Sequence, residues 1–157
     1  VELRAKARRM GRERKMGLVV VDYLQLLKIS GVGRNATREN EVSAMSGGLK
    51  SLAKELNVPV LVLAQLNRQA EQPGQRPKLA HLRESGAIEQ DSDIVALLHR
   101  DRDAEGESGD PQEGRESELI ISKHRNGPPG VVPLTFMPAY TRFESRSDID
   151  EADVPDA

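Results

Sequence analysis

The sequence predicts an α/β fold: a parallel sheet flanked by helices that ends in an antiparallel hairpin. Three observations carry this expectation. Residues 18–22 and 60–65 are β-branched and aliphatic runs without polar alternation, as expected of strands buried on both faces. Between them lies one apolar stripe at helical spacing, so strand, helix and strand make a βαβ unit with parallel strands and a right-handed crossover. Further on, Asn126-Gly127 separates two more apolar runs, and that dipeptide signals a tight hairpin turn. Composition agrees. A chain of 157 residues fits one domain or part of a larger one, and with 3% aromatic residues and no Trp its core must rest on Val, Ile, Leu and Ala.

Residues 2–15 read as a helix, because Leu3, Ala7 and Met10 recur at i, i+4 and i+7 and Gly17 ends the segment. The first strand follows at residues 18–22. Residues 30–37 are rich in Ser, Gly and Asn and form a loop, whose Thr37 is placed to cap the next helix. In that helix Val42, Met45, Leu49, Leu52 and Leu56 mark one face, until Asn57-Val58-Pro59 stops it. Gly47-Gly48 weakens it by roughly 1 kcal/mol per Gly relative to Ala. The second strand is residues 60–65 and a third is expected at residues 93–99. The loop-rich stretch 66–92 is long enough to suggest functional use. Residues 101–116 are charged and nearly free of apolar side chains, so they read as a solvated excursion with no role assigned. Residues 118–124 and 131–136 are the hairpin strands, and Pro133 places the second at a sheet edge or bulge.

The formal net charge of −2 hides an asymmetry. Arg4, Lys6, Arg8, Arg9, Arg12, Arg14 and Lys15 crowd the first helix, where they either meet nucleic acid or, more commonly for such runs, only solvate a helix face. Residues 146–157 form an acidic tail with little to bury, expected to be disordered, which leaves residues 1–145 as the folded part. With no Cys and only His81, His99 and His124 scattered along the chain, neither a disulfide framework nor a zinc cluster is expected. No run reaches the roughly 18 apolar residues of a membrane span, and no charged-then-apolar leader opens the chain, so a cytoplasmic protein is expected.

In a parallel α/β sheet, ligands bind beyond the carboxyl ends of the strands. Asp22 and Gln65 both sit there. Apolar residues followed by an acid at a strand tip form the Walker B arrangement, in which the carboxylate holds Mg²⁺ beside a nucleotide phosphate through water. An Asp at a strand end also serves commonly as a turn or helix cap, and a polar strand-end residue such as Gln65 is commonplace, so the pair leaves both readings open. Lys123 and Arg125, two residues apart at a strand end, share a face on which ammonium and guanidinium can grip one phosphate. Exposed basic residues beside a turn are the plainer alternative.

Residues 20–26 (VVDYLQL), 52–60 (LAKELNVPV), 65–68 (QLNR), 82–93 (LRESGAIEQDSD) and 123–128 (KHRNGP) resemble, in order and spacing, the successive motifs of DnaB-type replicative DNA helicases. RecA-type recombinases share the Asp22-like and Gln65-like positions but not the LRESG and KHRNGP segments. The resemblance implies a RecA-like fold and a homo-hexameric ring that translocates on single-stranded DNA with ATP or another NTP and Mg²⁺. It also implies primase and a helicase loader as partners, and a bacterial or phage origin. By position, Asp22 is the Walker B acid, Gln65 the sensor of phosphate state, and Arg125, assisted by Lys123, the arginine finger for a neighbouring subunit's nucleotide. Arg83, Glu84 and Gly86 resemble the loop that follows the DNA backbone in the central channel, with Arg68 lining or supporting it. The 157 residues contain no G-x-x-x-x-G-K-[ST], so the chain is expected to be a C-terminal fragment that does not hydrolyse ATP alone. A RecA-like recombination or repair ATPase, or a non-catalytic DNA-binding or subunit-interface module, is the alternative.

Overall fold

The computed structural model describes residues 2–28, 37–67, 70, 75–82, 86–100 and 114–146. The chain divides into two compact units, residues 1–70 with 79–92 and residues 71–78 with 93–157.

In the first unit, α1 (Glu2–Glu13) is followed by β1 (Val19–Val21), a 3₁₀ turn at Leu24–Leu26, α2 (Arg38–Leu56), β2 (Val60–Val62) and the short α3 (Gly86–Asp91). β1 and β2 pair in parallel, with Val19 opposite Val60 and Val21 opposite Val62, so the βαβ unit forms as expected. Thr37 caps α2 by accepting a hydrogen bond from the Asn40 N–H at 3.3 Å. At the other end Asn57 takes the left-handed conformation (φ 51°), which Asn tolerates better than most residues, and its N–H reaches the Ala53 carbonyl. The stripe read from the sequence is the buried face: Val42, Met45 and Leu49 pack with Val21 and Leu24, while Leu52 is 1% exposed. α3 joins the same core through Ile88, and Ser46 donates to the Ala87 carbonyl.

Two expectations for this unit are corrected. The strands are covered on one face only among the described residues: Val20 and Leu61 are 54% and 51% exposed, because α1 and α2 both pack on the side of Val19, Val21, Val60 and Val62. The stripe on α1 also stops early. Ala7 is buried and Leu3 reaches the core, but Met10 is exposed and the helix ends at Glu13. Beside Leu3 and Ala7, α1 makes charged contacts with α2. Arg4 and Arg8, one turn apart and so on one face, both bond Glu55 of α2, with the Arg4 Nη2 at 2.8 Å. Hydrogen bonds from Arg8 and then Arg4 hold the Glu55 carboxyl down at about 2. Part of the basic cluster thus has a structural role, and Arg12, Arg14 and Lys15 make none of the ion pairs seen among the described residues.

The second unit is a four-stranded antiparallel sheet in the order β3 (Ile94–Arg100), β4 (Arg115–His124), β5 (Gly130–Met137), β6 (Arg142–Ser145). The expected hairpin is its centre, and the third expected strand is its edge partner, antiparallel to β4. β6 has no counterpart in the sequence reading. Pro133 lies one residue beyond the β6 pairing, which begins at Leu134, so there β5 has a neighbour on one side only, the edge position expected for it. Phe136 packs on Phe143 with centroids 4.8 Å apart, and the Arg100 guanidinium lies over the Phe136 ring at 4.6 Å. Most of the 101–116 excursion and residues 147–157 of the acidic tail lie outside the described residues; Arg146, at the tail's start, pairs with Glu116 at 2.7 Å.

Candidate functional site

Asp22 follows the last residue of β1 and is exposed at the carboxyl edge of the parallel pair, with a cis peptide bond to Tyr23. Strand pairing continues past the formal ends. The Leu63 N–H donates to the Val21 carbonyl at 2.9 Å, and the Leu24 N–H donates to the Leu63 carbonyl at the same distance. Gln65 comes next on that edge, and an open depression of about 400 Å³ there is lined by Tyr23, Leu63, Ala64 and Gln65. The two strand-end residues singled out in the sequence therefore belong to one edge of one βαβ unit.

Gln25 has no role in the sequence reading, and the structure gives it one. Its Nε2 donates to the Gln65 carbonyl at 3.1 Å, and its Oε1 accepts from the Gln65 N–H at 3.3 Å. One side-chain amide thereby imitates the pairing of a further strand residue and fixes the backbone from which the Gln65 side chain projects. Arg38, at the start of α2, is paired with Glu41 at 2.8 Å and reaches the Gln25 carbonyl at 3.5 Å. The only signal in the sequence is the position of Gln25 three residues after the strand-end acid; nothing there names Gln65 as its partner.

Among the described residues no three His, Asp or Glu side chains gather as a metal cage. What Asp22 offers is a single solvent-facing carboxylate. That fits Mg²⁺, which keeps several waters and takes one or two carboxylates together with substrate phosphates.

In the second unit, Lys123 is near the end of β4, opposite Val95, and β4 ends at His124. Arg125 stands just beyond. Its N–H donates to the Asp93 carbonyl at 2.8 Å, and its Nη1 lies 3.0 Å from Asp93 Oδ1. Gly127 follows where the His124 ring folds back: a Cβ on residue 127 would come within 2.5 Å of His124 Nδ1, so a larger residue there displaces the exposed His124 ring.

Of the residues expected to meet DNA, Arg68, Arg83 and Glu84 lie outside the described residues. Gly86 is the exposed first residue of α3, and a Cβ there would meet nothing within 4 Å. One neighbour of this region is incompletely satisfied. Asn67 bonds the His81 carbonyl through its N–H at 3.1 Å, while both polar atoms of its side chain are buried with no hydrogen-bond partner among the described residues.

Residues 1–145 match the family described as the DnaB-like helicase C terminal domain. The chain belongs to this family. It is 46% identical over 156 residues to the replicative DNA helicase DnaB of Geobacillus stearothermophilus, covering 98% of this chain and 34% of that protein. With DnaB of Leifsonia xyli the identity is 49% over 150 residues, covering 95% and 32%. The chain thus spans about a third of the length of these relatives. Among solved structures, one described as an ATPase domain superposes with a TM-score of 0.79 at 41% identity, over 92% of this chain and 50% of that one. A DnaB-like replicative helicase, described with its interactions with primase, gives 0.76 at 42% identity, over 90% and 34%. The fold is accordingly the RecA-like one that the DnaB-type motifs implied, a parallel βαβ unit with an antiparallel hairpin following it.

Proposed function

We propose that this chain is the C-terminal part of the motor domain of a replicative DNA helicase, which unwinds duplex DNA by ATP-driven translocation of a homo-hexameric ring on single-stranded DNA. The observation that carries the reading is the carboxyl edge of the parallel pair, where Asp22 directly follows β1, Gln65 lies three residues past β2, and Gln25, from the turn after Asp22, bonds the Gln65 backbone. Membership of the DnaB-like family supports it over residues 1–145.

Asp22 then orders the waters of Mg²⁺ on ATP or another NTP, and Gln65 reads the state of the γ-phosphate. Arg125, with Lys123 beside it on the same hairpin, reaches the nucleotide of a neighbouring subunit. A guanidinium there stabilises the charge that spreads over the transferred phosphoryl group, an effect worth about 10³–10⁵ in rate in related NTPases. Arg83, Glu84 and Gly86 follow the DNA backbone in the channel, which Arg68 lines or supports, so binding is sensitive to salt and indifferent to sequence. The phosphate loop is not among these 157 residues, and this piece alone does not hydrolyse ATP. Primase and a loader are the partners of the assembled ring, which works at the replication fork in the cytoplasm. No helix among the described residues is long and apolar enough to cross a membrane.

The test is Arg125→Ala in the full-length protein. ATPase activity is expected to vanish and to return in part when the variant is mixed with one disabled in its phosphate loop, because finger and loop act across a subunit boundary. Undiminished turnover by Arg125→Ala rings would overturn the assignment. Arg83→Ala is expected to lower DNA-stimulated turnover more than basal turnover; equal losses would make Arg83 a structural residue.

A further inference from the structure

We propose that Asp93 is the positioning residue for Arg125, holding its guanidinium in the orientation from which it passes to a phosphate. The inference rests on the reading of Arg125 as the finger. Ile94 pairs with His124 at the end of the β3–β4 ladder, and the Arg125 N–H bond to the Asp93 carbonyl at 2.8 Å extends that ladder by one step. The two residues are therefore fixed to each other through the backbone before their side chains meet. The side chains then make a second link, Nη1 to Oδ1 at 3.0 Å. An arginine that ends a strand and faces solvent otherwise spreads over many rotamers, and ordering it is a cost that each encounter with a nucleotide must meet. A carboxylate at the root of the turn biases that distribution towards one orientation.

Magnitude decides whether this contact guides or locks. The side chains of Arg125 and Asp93 are 50% and 57% exposed, so water and salt screen the pair and it contributes little energy of its own. A phosphate bears more charge than a carboxylate, and the planar guanidinium fork matches both. The exchange of one for the other is therefore open to Arg125, and losing Asp93 costs order rather than releasing a block. Rate is expected to fall, not rise, when Asp93 is removed.

In the full-length protein, Asp93→Ala is expected to lower kcat about two- to fivefold with little change in the KM for ATP, the most that an exposed ion pair can contribute to ordering the side chain. Asp93→Glu is expected to recover part of the loss. The decisive measurement uses rings mixed from two variants, one disabled in its phosphate loop and supplying only the finger, the other carrying Arg125→Ala and supplying only the loop. Asp93→Ala is expected to reduce turnover when it sits on the finger-supplying subunit and to have no effect on the other. Equal effects from both placements would make Asp93 a general structural residue, and no effect from either, or a rise in kcat, overturns the proposal as well. Full activity of Arg125→Ala rings would instead remove the finger itself, a separate result read from separate rings.

Discussion

Alanine at Gly47 and Gly48 is expected to make the protein more stable. The two glycines lie in the middle of α2, between buried Met45 and Leu49, in a helix that continues without interruption from Arg38 to Leu56. A Cβ on Gly48 meets nothing within 4 Å, and one on Gly47 comes no nearer than 4.0 Å to Asp91 Oδ2, an ordinary contact. Neither position therefore needs glycine for space. Each glycine costs a helix interior about 1 kcal/mol relative to alanine, largely through the entropy of the unfolded chain, so the double substitution is worth about 2 kcal/mol. For a domain of this size that raises the melting temperature by roughly 4–8 °C. Urea denaturation followed by circular dichroism reads the global effect, and hydrogen exchange of the α2 amides reads the local one. Gly127→Ala serves as the opposite case, because its Cβ would strike the His124 ring, and it is expected to give no gain or a loss. Unchanged or lowered stability for the Gly47→Ala, Gly48→Ala pair would refute the claim that these residues are only a local weakness, and would point to a backbone motion that α2 needs.

The Glu55 carboxyl, held at about 2 against an ordinary 4.5, stabilises the fold fully above pH 4.5 and loses that contribution as the pH falls towards 2. Acid titration of the wild type is thus expected to release α1 more steeply over that range than titration of Glu55→Gln; parallel curves would mean that the Arg4 and Arg8 bonds carry no linkage. Thr37→Ala removes the cap on α2 and is expected to cost about 1 kcal/mol, with Thr37→Ser restoring it, by denaturant titration. Leu52→Ala, at a side chain 1% exposed, is expected to cost about 2–5 kcal/mol, and a loss below about 1 kcal/mol would show that the site collapses around the missing atoms. Gln25→Ala, which breaks both bonds to the Gln65 backbone, is expected to reduce kcat in the full-length protein while leaving the melting temperature nearly unchanged, since the bonds are exposed.

Much of this protein is legible in one dimension because the relevant signals are local. The stripe of Val42, Met45, Leu49 and Leu52, the Thr37 cap and the Asn57 stop each depend on residues within a turn of one another, and each is found where spacing places it. Asp22 is legible as a strand end for the same reason, whereas the second strand ends at Val62, three residues before Gln65, and the order of the motifs is enough to name the family. Tertiary structure alone decides what non-local pairing controls. The partner of β3 is β4, separated from it in sequence by residues 101–114 but adjacent across the ladder, and no periodicity within residues 94–100 encodes that choice. The packing of the basic helix depends on Glu55, which lies 51 residues from Arg4 and 47 from Arg8 and pairs with both. Gln25 and Asp93 are two polar residues among many in the chain. They become positioning candidates only when strand pairing brings Gln25 to the backbone of Gln65 and Asp93 to the guanidinium of Arg125, since a hydrogen bond depends on distance in space and leaves no trace in composition or period.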